Sequence, residues 1–391
     1  MRLALPLFTS LATITTAAFV HPGLLHTNTD FTRISAKVAA GTEPWATAWT
    51  KFTASPYAAA TYTPPAVSII YRGSDGTHAE NYPLLYQDVA AAYALAIRWR
   101  VTGIAQYGDA AIRILDAWSS TLTALGGNSD LFLAAGIYGY EFAQAGEIMR
   151  SYTSWTGFVP FKNMMVNVFY SQINEWFVNH DAGTYGQYAL GVYAGWDLSM
   201  MAGAVAIGIL ADNQTIYDQG ANWFLTGTGN GQVFRAIPYQ HWFENQVIAQ
   251  TQEAGRDQGH NMLDIALLSM IGKMAYNQGN DLLSYNNSVI SFAAEYAARY
   301  NLGYDVPYTP YNNGPINLPT ISNVSRGDLR PVWELLYNHY GVLKGKNVTW
   351  TKKYRDLVVS SNGGAEGGSG DYGPNSGGYD QLGWGTLLYT L

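Results

Sequence analysis

The chain has 391 residues, of which 48% are apolar, 14% aromatic and only 13% charged, with a formal net charge of −7 and no cysteine. That length buries a large core without disulfide support. The acidic balance and the lack of any Lys/Arg run longer than Lys352-Lys353 argue against nucleic acid or anionic membrane as partners.

Met1-Arg2 precedes an apolar stretch from Leu3 to about Val20, with the small residues Thr16, Ala17 and Ala18 near its end. This pattern reads as a secretory signal cleaved after Ala18, so residues 1–18 are expected to be removed and 19–391 to form one exported domain. No other run approaches the ~20 apolar residues of a membrane span. Asn-x-Ser/Thr sequons at Asn213, Asn286, Asn323 and Asn347 suit N-glycosylation of a secreted eukaryotic protein.

Apolar residues at three- and four-residue spacing predict helices over 80–101, 106–124, 131–152, 162–178, 197–211, 214–225, 259–277, 286–301, 328–343 and 349–360. Strict two-residue alternation is scarce, so the chain reads as all-α. Polar clusters open alternate helices: Thr77 to Asn81, Gly127 to Asp130, Tyr193 to Asp197, Gly255 to His260 and Ser325 to Arg330. The helix after each cluster is apolar on most faces and must be enclosed, whereas the helices between are amphipathic. An inner ring wrapped by an outer ring satisfies both, giving an (α/α) toroid, or incomplete barrel, of six to seven helical hairpins. Parallel inner helices would gather their N-termini, and the polar clusters, on one face.

Helix N-termini favour anions even in an acidic protein. Arg256, Arg326 and Arg330 at these ends add charge-assisted carboxylate binding, which points to an acidic polysaccharide as the partner. The densest cluster, Glu253-Ala-Gly-Arg-Asp-Gln-Gly-His-Asn261, places His260 one turn from Arg256 on the same helical face. Glu253, Asp257 and Gln258 stand beside them to orient Arg256 or touch substrate. His78, Glu80 and Asn81, then Asn128 and Asp130, open the first two inner helices, where contact with sugar competes with simple capping. Trp196 and Trp333 are placed to stack on sugar rings or to pack.

The segments His21-Pro-Gly-Leu-Leu-His-Thr27, Gln252 to His260, Ala275 to Asp281, Arg330 to Tyr340 and Leu382-Gly-Trp-Gly-Thr-Leu387 resemble the alginate-lyase superfamily. Within it they are similar to polysaccharide lyase family thirty-eight and its fungal members. The resemblance implies an α/α toroid and β-elimination on a β-1,4-linked polyuronate such as alginate, polymannuronate or glucuronan. It also implies a tyrosine as acid or base. Tyr188 and Tyr193 before the Trp196 helix are candidates, as are Tyr300, Tyr304, Tyr308 and Tyr311 near the end of an outer helix. Arg256 would then neutralise the uronate carboxylate, and His260 would hold it or take the C5 proton. The resemblance further implies an Asn, general among relatives, directly before the Trp that opens this inner helix; here that position is Gly195.

Two alternatives stay open on the sequence. A glycoside hydrolase would use Glu253 and Asp257, although neighbours on one helix end flank a bond poorly. A non-catalytic binding protein would fit Gly195. The scattered histidines suggest no required metal or cofactor, with room for a structural Ca²⁺ among the Gly- and Asp-containing loops. A monomer is expected, with the Gly-rich segment 361–378 edging the cleft.

Overall fold

The computed structural model describes residues 18–179 and 191–391. The expected signal peptide, except Ala18, therefore lies outside the described residues, as does Tyr188.

Helix Pro83–Thr102 begins with proline, whose missing N–H costs nothing in a first turn, and stops at Gly103 in the left-handed region (φ 70°). Its residues from Val89 to Ile97 are all buried, so it sits inside on every face. Helix Ala105–Thr121 returns and buries a single stripe, Ala110, Ala111, Ile114, Leu115 and Trp118. The same alternation recurs in the next pair, Ala194–Leu210 and Gln214–Thr226. The inner member is buried without break from Leu198 to Leu210, and the outer buries one face through Ile216, Tyr217, Ala221 and Phe224. Gln258–Asn277 with Tyr285–Asn301, and Trp333–Leu343 with Thr349–Ser361, continue the ring. Between the first two pairs lies Leu131–Met149, with a π-helical turn over Ala134–Tyr138, and its partner Phe158–Val178, with another over Met165–Tyr170.

The inner helices pack as consecutive neighbours, and in one case nearly backbone to backbone. A Cβ at Gly136 would lie 2.6 Å from the Ser199 backbone, and one at Gly203 would lie 3.1 Å from the Gly136 carbonyl oxygen. Glycine at both crossing points is what lets these two helices touch. The fold is thus an all-α toroid, and no described helix is long and apolar enough to cross a membrane.

A sixth pair, Asn28–Ala39 and Trp45–Ala54, was not expected. Its start was readable in the capping box formed by Thr27 and Asp30, but the short Thr- and Ala-rich stretches hide the periodicity. The C-terminal helix Gly385–Tyr389 packs against this pair and against Trp333–Leu336. The segment before helix Asn28–Ala39, which carries the His21-to-Thr27 motif, seals the end of the ring where the inner helices finish. There the Leu25 N–H donates to Gln144 Oε1 (3.0 Å), and Asn277 Nδ2 donates to the Leu24 carbonyl (2.6 Å).

Among the described residues, three short two-stranded sheets also depart from expectation. Ile69–Arg72 pairs in parallel with Ala124–Gly127, and Tyr239–Phe243 pairs with Gln246–Gln250 as a hairpin. The hairpin turns through Glu244 and Asn245, both at positive φ (47° and 62°), the geometry that matches strand twist. The third joins Tyr311–Asn312 to Asn317–Leu318. Each is too short for alternation to register.

Candidate active site

Opposite the sealed end, the N-termini of the inner helices converge on a cavity of about 430 Å³. Asp130, Gly195 and Trp196, Asp257, Gly259 and His260, and Arg330 reach it from four inner helices or the segments just before them. Arg72 enters from the first strand, and Ser376, Gly377, Asp380 and Gln381 from the C-terminal loop.

Asp257 is the N-cap of helix Gln258–Asn277, and its two carboxylate oxygens do separate jobs. Oδ1 accepts the His260 backbone N–H (2.9 Å), which starts the helix, while Oδ2 accepts from His260 Nδ1 (2.6 Å). Burial would raise the Asp257 pKa, but the hydrogen bonds from His260 and the charge of Arg256 hold it below the usual carboxylate range. An ionised Asp257 fixes the proton on Nδ1 and leaves Nε2 as an acceptor. The His260 side chain is 44% exposed, so that acceptor is open to a ligand.

Arg256 is held from three sides. Its Nη1 donates to Glu253 Oε2 (2.8 Å), its Nε lies 3.8 Å from Asp257 Oδ2, and its guanidinium rests 4.1 Å from the centre of the Tyr193 ring. The other oxygen of Glu253 accepts the Gly195 N–H (2.8 Å), so this carboxylate ties Arg256 to the start of helix Ala194–Leu210. Asp264 lies beneath, fully buried; burial and the neighbouring Glu253 push its pKa well above the usual value, so it is a neutral acid. A Cβ at Gly195 would stand 3.2 Å from Glu253 Oε1 and 3.3 Å from Asp264 Oδ1. Asparagine at this place would crowd both carboxyl groups, which gives glycine here a steric reason.

Across the cavity floor, Asp380 is 8% exposed and its Oδ1 has no hydrogen-bond partner. Burial raises its pKa to about 6, against the opposing charges of Arg72 and Arg330. Arg72 donates from Nη1 to the Tyr138 hydroxyl (3.0 Å) and lies 5.2 and 5.3 Å from the Tyr82 and Tyr138 ring centres. Arg330 donates to the carbonyls of Leu329 (3.2 Å) and Tyr372 (3.3 Å).

Of the residues singled out on the sequence, Arg256, His260, Glu253, Asp257, Trp196 and Arg330 line the cavity together. Others do not. Tyr300 lies under the Arg326 guanidinium (3.9 Å to the ring centre), and Arg326 itself donates to the Tyr300 (2.8 Å) and Tyr304 (3.1 Å) carbonyls, closing a helix end. Gln258 is buried, donating to the Ala254 (3.1 Å) and Ser322 (3.0 Å) carbonyls. Asn81 clasps the first strand, accepting from the Tyr71 N–H (2.7 Å) and donating to the Ile69 carbonyl (3.0 Å). Asn128 accepts the Asp130 N–H (2.9 Å) as a turn residue. His78 stacks on Tyr71 (4.2 Å) and pairs with Asp75 on the surface. Trp333 is fully buried. The carboxylates a hydrolase would place on either side of a bond, Glu253 and Asp257, both face Arg256 instead. Arg72 and Asp380 escaped the sequence analysis because one lies on a four-residue strand and the other follows a Gly-rich loop, with no periodicity to mark either.

An alginate lyase family model matches residues 47–305. No curated protein sequence matches. Alginate lyase A1-III from Sphingomonas species A1 is 14% identical with a TM-score of 0.60, covering 96% of this chain and 98% of that one. An alginate lyase from Bacteroides ovatus is 12% identical with a TM-score of 0.59, over 95% of this chain and 100% of that one. A histidine-to-alanine variant of A1-III complexed with a tetrasaccharide is 13% identical with a TM-score of 0.58, over 96% and 97% of the two chains. At such identities these structures share the fold. The family match covers more than half of the chain, including Gly195, Arg256 and His260, and the protein therefore belongs to the alginate lyase family and is a polysaccharide lyase.

Proposed function

We propose that this protein is secreted and cleaves a β-1,4-linked polyuronate, polymannuronate in alginate or glucuronan, by β-elimination, as a fungal-type member of polysaccharide lyase family thirty-eight. The observation that carries this is the pairing of an Asp257-fixed imidazole with an Arg256 guanidinium at the mouth of converging helix N-termini.

Elimination removes the proton on C5, moves that electron pair into a C4–C5 double bond and breaks the C4–O4 bond of the same ring, so that the glycosidic oxygen leaves on C1 of the neighbouring sugar and takes up a proton. The C5 proton is only weakly acidic until the adjoining carboxylate is neutralised. Arg256 supplies that neutralisation, with the helix N-terminus behind it. His260 Nε2 accepts the proton, and the resulting imidazolium is stabilised by Asp257. In mannuronate and glucuronate, the C5 hydrogen and O4 lie on the same side of the ring, so one imidazole can take the proton and return it to O4. In guluronate they lie on opposite sides, which requires two groups. A single exposed imidazole therefore favours the first two polymers. Tyr193, beneath Arg256, is the remaining described tyrosine of the original candidates in contact with this pair; Tyr188 lies outside the described residues.

No cofactor enters this chemistry. The sequon residues Asn213, Asn286, Asn323 and Asn347 are all exposed, as N-glycosylation requires. The test is ultraviolet absorbance of the new double bond on polymannuronate, glucuronan and polyguluronate separately. Growth on either of the first two is expected. Reducing ends without absorbance would instead support hydrolysis, and neither signal would support a binding protein.

A further inference from the structure

Three guanidinium groups line the cavity, and they are not alike. Arg256 already meets Glu253 and Asp257. Arg72 and Arg330 form no ion pair among the described residues; their partners are a phenol and two backbone carbonyls. Both reach the same cavity, Arg72 from the strand before the first long inner helix and Arg330 from the segment before the last. Arg72 is 9% exposed and flanked by two tyrosine rings, so its direction is fixed before any ligand arrives.

A buried guanidinium without a carboxylate is costly unless an anion completes it. Asp380 and Asp130 act on Arg72 through their charge, but neither forms an ion pair with it among the described residues. Asp380 holds its proton through mildly acidic pH, so among the described residues neither arginine has an ion-paired carboxylate there.

We propose that Arg72 and Arg330 form a second carboxylate-binding subsite, which takes the carboxyl group of a uronate adjoining the one held at Arg256. This inference rests on the polyuronate reading above and deepens it, because it makes the site recognise at least two acidic sugars of one chain. Planar guanidinium forks suit carboxylates, whereas a neutral sugar at this place would leave both cations unpaired.

The experiment compares the parent with Arg72→Met and Arg330→Met on polymannuronate and glucuronan oligomers of graded length, reading KM and kcat separately by absorbance, with thermal unfolding to check the fold. Losing one charge-assisted contact should raise KM for trimers and longer by roughly 10- to 100-fold while kcat changes far less. Arg72→Lys should recover part of that loss. Should Arg72→Met fail to fold, the half-buried Arg330 variant carries the test alone. An active parent with unchanged KM in a folded variant overturns the subsite and leaves the lyase reading standing. A parent inactive on every polyuronate overturns the reading, and the subsite with it.

Discussion

Asp257 binds the local structure to the chemistry, because one carboxylate both starts a helix and sets the tautomer of His260. Replacing it with asparagine keeps the size but allows the amide to present a donor to Nδ1, so Asp257→Asn should lower kcat by roughly 10²- to 10⁴-fold with little change in unfolding temperature. Arg256→Ala and His260→Ala should each abolish measurable turnover in a folded protein, and near-normal activity in either would remove these residues from the mechanism. Asp380 adds a pH dependence with a definite sign. It is faced by Arg72, Arg330 and His260, and loses its proton as pH rises through about 6. Above that pH its charge competes with the substrate carboxylate, so KM should rise there, and Asp380→Asn should flatten the rise. At this scale the sequence was informative where polar residues crowd together, as from Glu253 to His260. It was silent where one residue arrives alone from a loop, as Asp380 does, and it overstated Asn81, Asn128 and Gln258, whose polar groups serve the backbone.

The long helices were legible because each carries enough turns for its apolar spacing to register, and nine of the ten expected spans overlap their observed counterparts to within about four residues at each end, the ordinary uncertainty of helix boundaries. The tenth, expected from 328, begins only at Trp333, since Asp328 to Arg330 belong to an irregular approach that carries Arg330 to the cavity. Interior crossings depend on residue volume rather than on pattern, and only coordinates reveal them. Gly136→Ala should force apart helices Leu131–Met149 and Ala194–Leu210 and destabilise the protein by about 1–3 kcal/mol, read by chemical denaturation. An unchanged midpoint would mean the crossing relaxes freely.

The whole ring closes around buried acids that carry a cost at neutral pH. Glu366 is fully enclosed beside Glu334, and burial, with that neighbour, raises its pKa to about 8. The folded state then binds this proton more tightly than the unfolded chain. Its contribution is complete below the unfolded value of 4.5 and is lost as pH rises through about 8. Stability should therefore fall between those limits by about 5 kcal/mol at most, and the unfolding temperature with it, and Glu366→Gln should flatten the fall. A parent curve that rises over this range would contradict the buried, neutral carboxyl.

All of these features serve one arrangement: a sealed base, parallel inner helices, and an open end where their N-termini meet Arg256 and His260. Absorbance growth on polymannuronate, glucuronan and polyguluronate, run side by side with the parent and His260→Ala, tests it most directly. The account predicts an unsaturated product from polymannuronate or glucuronan, little from polyguluronate, and none from the variant. Equal growth with His260→Ala would contradict it.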